Sequence, residues 1–93
     1  MTQFIARVEL HNAEWSDYTT LHSAMKNHGF KTNITSGGGV VYELPPAEYR
    51  FEGGFTSSQV LDIIKVAASK TNKSYGAIVT QSGGSAWVGL KKV

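Results

Sequence analysis

Gly54-Phe-Thr-Ser-Ser-Gln-Val-Leu-Asp-Ile-Ile-Lys-Val-Ala-Ala-Ser-Lys70 is the stretch around which the remaining residues can be arranged. Thr56 stands three residues before Gln59, the spacing at which each side chain satisfies an orphan backbone N–H of the other residue. Phe55 and Val60 flank this cap at the spacing of a hydrophobic staple. Val60, Ile63, Ile64 and Ala67 then recur at helical intervals, and Leu61 and Ala68 widen the stripe. Lys70 and Lys73 lie where cations suit the end of the helix dipole, and Asn72 suits a left-handed stop. A short amphipathic helix needs an apolar surface to cover, and the segments on either side have the alternation of strands.

Residues 3–11 alternate, with Phe4, Ala6, Val8 and Leu10 on one face and Ile5, Arg7, Glu9 and His11 on the other. Asn12 is placed to cap a second helix over about 13–28, whose buried stripe reads Trp15, Tyr18, Leu21 or His22, and Met25. Gly29 then suits a C-terminal cap. The run 30–44 is extended and broken by Gly37-Gly38-Gly39, either as a hairpin turn or as a bulge. Pro45 and Pro46 donate no backbone hydrogen bond and stop the pairing. Residues 48–52 alternate again, with Tyr49 and Phe51 opposed to Arg50 and Glu52, and 74–81 form a strand with Tyr75, Ala77 and Val79 inward. Past the Ser82-Gly83-Gly84-Ser85 turn, Ala86-Trp87-Val88-Gly89-Leu90 reads as a short extra strand.

The order strand–helix–strand–strand–helix–strand predicts an α+β, ferredoxin-like βαββαβ two-layer sandwich, with two helices on one face of a four-stranded antiparallel sheet. Its first and third strands are neighbours. Pairing Val8 with Phe51 would set Arg7 near Glu52 and Glu9 near Arg50 on the open face.

The chain has 93 residues, enough for one domain, 1–93, with a modest core. A hydrophobic content of 41% argues for a packed domain. With no cysteine there is no disulfide scaffold, thiolate metal site or cysteine nucleophile, and a reducing compartment is expected. No signal peptide is expected from the first residues, and no apolar run approaches the roughly 20 residues of a membrane span, so the expected location is cytoplasmic. Nine basic and seven acidic side chains leave a net charge of +2, too mild to argue for or against nucleic acid.

His11, His22 and His28 are the histidines. His11 ends the first strand. His22 borders the buried helix stripe, where a packed histidine with one satisfied nitrogen is the ordinary reading and a general acid or base the functional one. No two histidines have metal-ligand spacing within one element, so no metal is expected; convergence of Glu9, His11, Glu14 or Asp17 would be the one route to a site. Neither glycine cluster has Walker spacing, and GxSxG is absent, so nucleotide cradling and acyl transfer lack support. Arg7, Arg50 and Lys31 could form a shallow basic surface for RNA, though Glu9 and Glu52 interleave with them and favour an ion-paired face. Trp15 and Trp87 read first as core or dimer-contact residues.

The first strand ending Val8-Glu9-Leu10, the helix Leu21-His22-Ser23-Ala24-Met25, Gly29-Phe30, the glycine-broken strand and the helix Ser58-Gln59-Val60-Leu61-Asp62-Ile63-Ile64-Lys65 together resemble the GhoS-type antitoxins. These are small endoribonucleases whose ferredoxin-like fold is similar to the CRISPR adaptation nuclease subunit. The resemblance implies a cytoplasmic antitoxin of a toxin–antitoxin system that cleaves its toxin's messenger RNA, with single-stranded RNA as partner and no cofactor. Glu9 stands where the family more usually has aspartate, and His22 where an arginine is expected. A neutral histidine can serve as acid or base, but lacks the permanent charge and fork-shaped phosphate grip of arginine. Glu9, His11 and His22 are the candidates for activating a 2′-hydroxyl; Arg7, Arg50 and Lys31 are those for holding phosphate. The rival expectation is a non-catalytic module whose 86–90 strand, with Trp87, adds to a partner or to a second copy in a homodimer.

Overall fold

A computed structural model describes residues 2–93. The chain runs β1 (Gln3–Leu10), α1 (Trp15–Asn27), β2 (Asn33–Thr35), β3 (Val41–Glu43), β4 (Glu48–Glu52), α2 (Ser57–Ala68) and β5 (Tyr75–Ser82). β1, with its alternating apolar face, is the middle of an antiparallel sheet ordered β4-β1-β5. β2 and β3 form a separate two-stranded sheet turned at the triple glycine, a hairpin and not a bulge. The architecture is α+β and compatible with the ferredoxin-like sandwich.

The expected fourth strand of the main sheet is reduced to one bridge. Lys31 and Arg50 exchange backbone bonds of 2.8 Å each way, and the chain then turns off into the β2–β3 hairpin. The expected strand at 86–90 does not form. Pairing comes later, where Lys92 bridges Tyr42 and the N–H groups of Glu43 and Val93 reach the carbonyls of Lys91 and Val41. Gly89, at φ 76°, bends the segment out of a strand, and Trp87 packs edge-on to Tyr42 with centroids 5.6 Å apart.

The core has one aromatic centre. Phe4, Val8, Leu21, Met25, Tyr49, Val60 and Ile64 are all fully buried, with Phe30 against Phe51 at 4.7 Å between centroids. Burying each such side chain contributes about 1.5–3 kcal/mol. Helix α2 follows its sequence reading closely: the Thr56 Oγ1 accepts from Gln59 N–H (3.1 Å) while Gln59 Oε1 accepts from Thr56 N–H (2.9 Å). After a 3-10 turn over Ser69–Thr71, Asn72 ends it in the left-handed region, φ 58°. Gly29, φ 91°, terminates α1.

The β1–β4 register differs by four residues from the expected one. Phe4, and not Val8, lies opposite Phe51, and Arg7 faces Glu48. The shift is even, so it keeps Phe51 on the core face, and alternation alone does not choose between the two registers. Bonds at the ends of the pairing choose: Gly53 N–H reaches the Thr2 carbonyl and Val8 N–H reaches the Ala47 carbonyl, both at 3.0 Å. The expected Arg7–Glu52 and Glu9–Arg50 pairs are therefore out of reach across the strands. Arg50 instead bonds Glu52 on its own strand at 2.6 Å.

Candidate functional site

β4 begins at Glu48, so the last part of β1 has no strand on that side. The chain before it turns through Pro45 and Pro46, and Ala47 sits in the left-handed region at φ 69°. Tyr18 of α1 takes over beyond that turn. Its hydroxyl accepts the Leu10 N–H at 3.0 Å, capping a backbone group that would otherwise lack a partner strand. This notch in the sheet edge opens a pocket of about 310 Å³. Arg7 and Glu9 supply one wall, Trp15, Tyr18 and His22 the helical wall, and Pro46 with Ala47 the rim.

Trp15 departs from its expected place in the buried stripe: it is 81% exposed. The helix starts two residues later than expected. Asn12 adopts φ 51° and does not cap it; the cap is Glu14, whose N–H donates to Asp17 Oδ2 at 2.9 Å. Trp15 is thus the first helical residue, beyond the end of the surface that Leu21, Ala24 and Met25 cover.

His22 is both a packed histidine and a wall of the pocket. Its Nδ1 lies 2.5 Å from the hydroxyl of Tyr49, which is fully buried on the core face of β4. Burial, helped by the nearby Tyr18, pushes the Tyr49 phenol well above its usual range, so it keeps its proton and donates it to Nδ1. The neutral ring then carries its own proton on Nε2. Burial also lowers the His22 pKa below its ordinary 6.5, which holds the ring neutral at pH 7.

The structure thus brings Arg7, Glu9 and His22 to one pocket and leaves the other candidates apart. His11 sits past the end of β1 with Nδ1 3.3 Å from Ser74 Oγ, near an open depression that Arg7 and Glu9 share with Gly76 and Ile78. Arg50 is tied down: its Nε donates to the Asn33 carbonyl (3.0 Å), and its side chain is only 11% exposed. Lys31 is exposed beside it, in a groove with Lys26 and Asn33. Between Arg7 and these two, the segment 85–90 and the hairpin close over Ile5, with Trp87, Leu90, Ile34 and Leu44 around a cavity of about 290 Å³.

Among the described residues no three His, Asp or Glu side chains come together to hold a metal ion, and no helix is long and apolar enough to cross a membrane. Sequence reasoning missed Tyr49 as the partner that fixes the His22 tautomer, and Tyr18 as the cap of the β1 edge. The Glu14-x-x-Asp17 spacing was the one signal that the helix starts at Trp15. No family model matches the chain, and no curated protein matches it.

Proposed function

We propose that the chain binds single-stranded RNA at the Trp15–His22 pocket and cleaves it, as a GhoS-type antitoxin of the cytoplasm acting on its toxin's messenger RNA. The observation that carries this reading is Trp15, a large aromatic face 81% exposed at the mouth of a pocket that also holds Arg7, Glu9 and a neutral histidine. An exposed tryptophan beside an arginine that makes no ion pair among the described residues is a platform for stacking a base while its phosphate is held. His22 Nδ1 is engaged by Tyr49, so a proton from a 2′-hydroxyl would enter the ring there only as the tautomer relays through Nε2 and solvent. Glu9, an acceptor without such a constraint, is the more direct base, and His22 then orients the substrate by a hydrogen bond from its Nε2–H.

In the step itself the base takes the 2′-hydroxyl proton and the 2′-oxygen attacks the adjacent phosphorus. The P–O5′ bond breaks, the leaving 5′-oxygen takes a proton from water or from the Glu9 carboxyl that has just gained one, and a cyclic phosphate remains. Arg7 offsets the charge that builds on the phosphoryl oxygens. His11 flanks the route onto the open face; Arg50 and Lys31 do not line the pocket and serve at most a distal strand path.

The test is cleavage and binding of a panel of labelled single-stranded RNAs, with and without chelator. Trp15→Ala is expected to weaken binding about 5- to 150-fold, the worth of one base stack. Glu9→Ala and His22→Ala are expected to lower the cleavage rate by about 10²–10⁴ with smaller changes in binding. Arg7→Ala lowers both, and it flattens the salt dependence of binding. Equal trace cleavage by all four variants and the parent chain would mean contamination and would overturn the nuclease reading.

The second reading, a non-catalytic module that docks another chain by strand addition, draws on a different feature. The edge that serves it is not 86–90, which is not a strand, but β5, which ends the sheet.

A further inference from the structure

Among the described residues, β5 has β1 on one side and no strand on the other. The bonds at the ends of β1 fix which of its groups face outward. Val8 N–H points to Ala47 on the β4 side, whereas His11 N–H points to the Ser74 carbonyl on the β5 side (2.9 Å). Odd-numbered residues of β1 therefore bond to β5, and their partners are Gly76, Ile78, Thr80 and Ser82. Tyr75, Ala77, Val79 and Gln81 turn their N–H and C=O groups to the outer edge.

An outer edge of this kind is normally blunted by lysine, proline, a bulge or a covering segment. β4 is bridged by Lys31, and β3 by Lys92. Residues 75–82, Tyr-Gly-Ala-Ile-Val-Thr-Gln-Ser, contain no charge and no proline. The chain leaves β5 through Gly83 and Gly84 and crosses the sheet face towards Ile5 and β3, away from that edge.

We propose that β5 pairs antiparallel with β5 of a second copy about a two-fold axis through Ile78, forming one continuous six-stranded sheet. This register sets Ala77 opposite Val79 and Tyr75 opposite Gln81, twice over. All four outward residues of each copy are used, giving about eight inter-chain hydrogen bonds, two for each directly bonded pair. Because the offset is even, helix-side residues meet helix-side residues. Ile78, 64% exposed on the open face, meets its own counterpart on the axis, which removes two apolar side chains from water at the closest kind of cross-strand pair. A strand without charge has no like-charge repulsion against its own copy, and the same patch on both subunits closes the assembly at two. Arg7 lies opposite Ile78 across β1–β5, so the two Arg7 residues are separated by three strand spacings, about 14 Å, on a shared face. The pairing rests on the backbone of β5 and not on the RNA reading, so either can fail without the other.

Light scattering of the whole chain is expected to give twice 10.1 kDa for the parent protein and a halved mass for Ile78→Lys. Ile78→Glu is likewise expected to be halved. An equimolar mixture of the two variants is expected to regain the doubled mass, because only a residue on the axis meets its own counterpart. Amide exchange of the unmutated chain gives a readout independent of any variant: the N–H groups of Ala77 and Val79 exchange slowly, and more slowly as concentration rises. A parent chain that stays at 10.1 kDa with fast exchange at Ala77 and Val79 overturns the proposal, as does a doubled mass that persists in Ile78→Lys.

Discussion

His22 and Tyr49 come from opposite layers of the fold, and each sets the chemistry of the other. A buried phenol that keeps its proton donates to Nδ1, and that bond favours the neutral imidazole. Tyr49→Phe removes the donor with little change in volume. Because burial is what lowers the His22 pKa, it is expected to stay below 6.5 in this variant, read by following its ring protons in an NMR titration, while stability falls by about 0.5–1.5 kcal/mol. The same residue gives a pH dependence of folding. Its folded pKa is depressed, so below the unfolded value of 6.5 the unfolded chain binds more protons. The contribution of His22 to stability is therefore whole above pH 6.5 and declines as the pH falls from there to the folded pKa. Denaturant melts between pH 7.5 and 5 are expected to show this decline, and His22→Gln is expected to flatten it. At this scale the sequence offered the histidine but not its partner. Tyr49 is 27 positions away, and its place on the core face says nothing about which helix residue its hydroxyl meets.

Elements were legible where local chemistry is strong. The reciprocal Thr56 and Gln59 bonds and the left-handed Asn72 are nearest-neighbour features, and both ends of α2 stand where those residues put them. Thr56→Ala is expected to cost about 0.5–2 kcal/mol in chemical denaturation, since it strands the Gln59 N–H at the exposed helix start. A thermal midpoint lower by about 4–8 °C per kcal/mol would accompany it. Legibility failed where two local options compete. At the start of α1, Asn12 has the ordinary cap side chain, but the reciprocal Glu14–Asp17 arrangement starts the helix instead and moves Trp15 from the core to solvent. It failed also where the answer is long-range. Registers four residues apart present the same faces of β1, so only the ends of the pairing at Thr2 and Ala47 distinguish them.

For the whole molecule, the order of elements was enough to give the α+β sandwich, because two capped or punctuated helices between alternating strands leave few ways to cover one sheet. What it did not give is the use of the open face. The hairpin and the residues after β5 close over Ile5 at one end, while Arg7 and Glu9 remain open at the other. That division follows from the Tyr42–Lys92 bridge, a contact between segments far apart in the chain that no periodicity announces. The same division separates Arg7 from Arg50, which the sequence placed together, and concentrates the candidate chemistry at the notch beside Ala47.

The register of the central strand also imposes a schedule. Gln3 pairs with Ser82, and Leu10 with Tyr75, so β1 waits for β5, which is made after all the other described strands. At about 5–20 residues per second, that wait lasts several seconds. Through it β1 can hold only β4, with its other edge bare and its apolar face covered by α1 and α2 alone. The sheet is thus completed only once β5 has emerged, and until then the nascent domain is at its most adhesive.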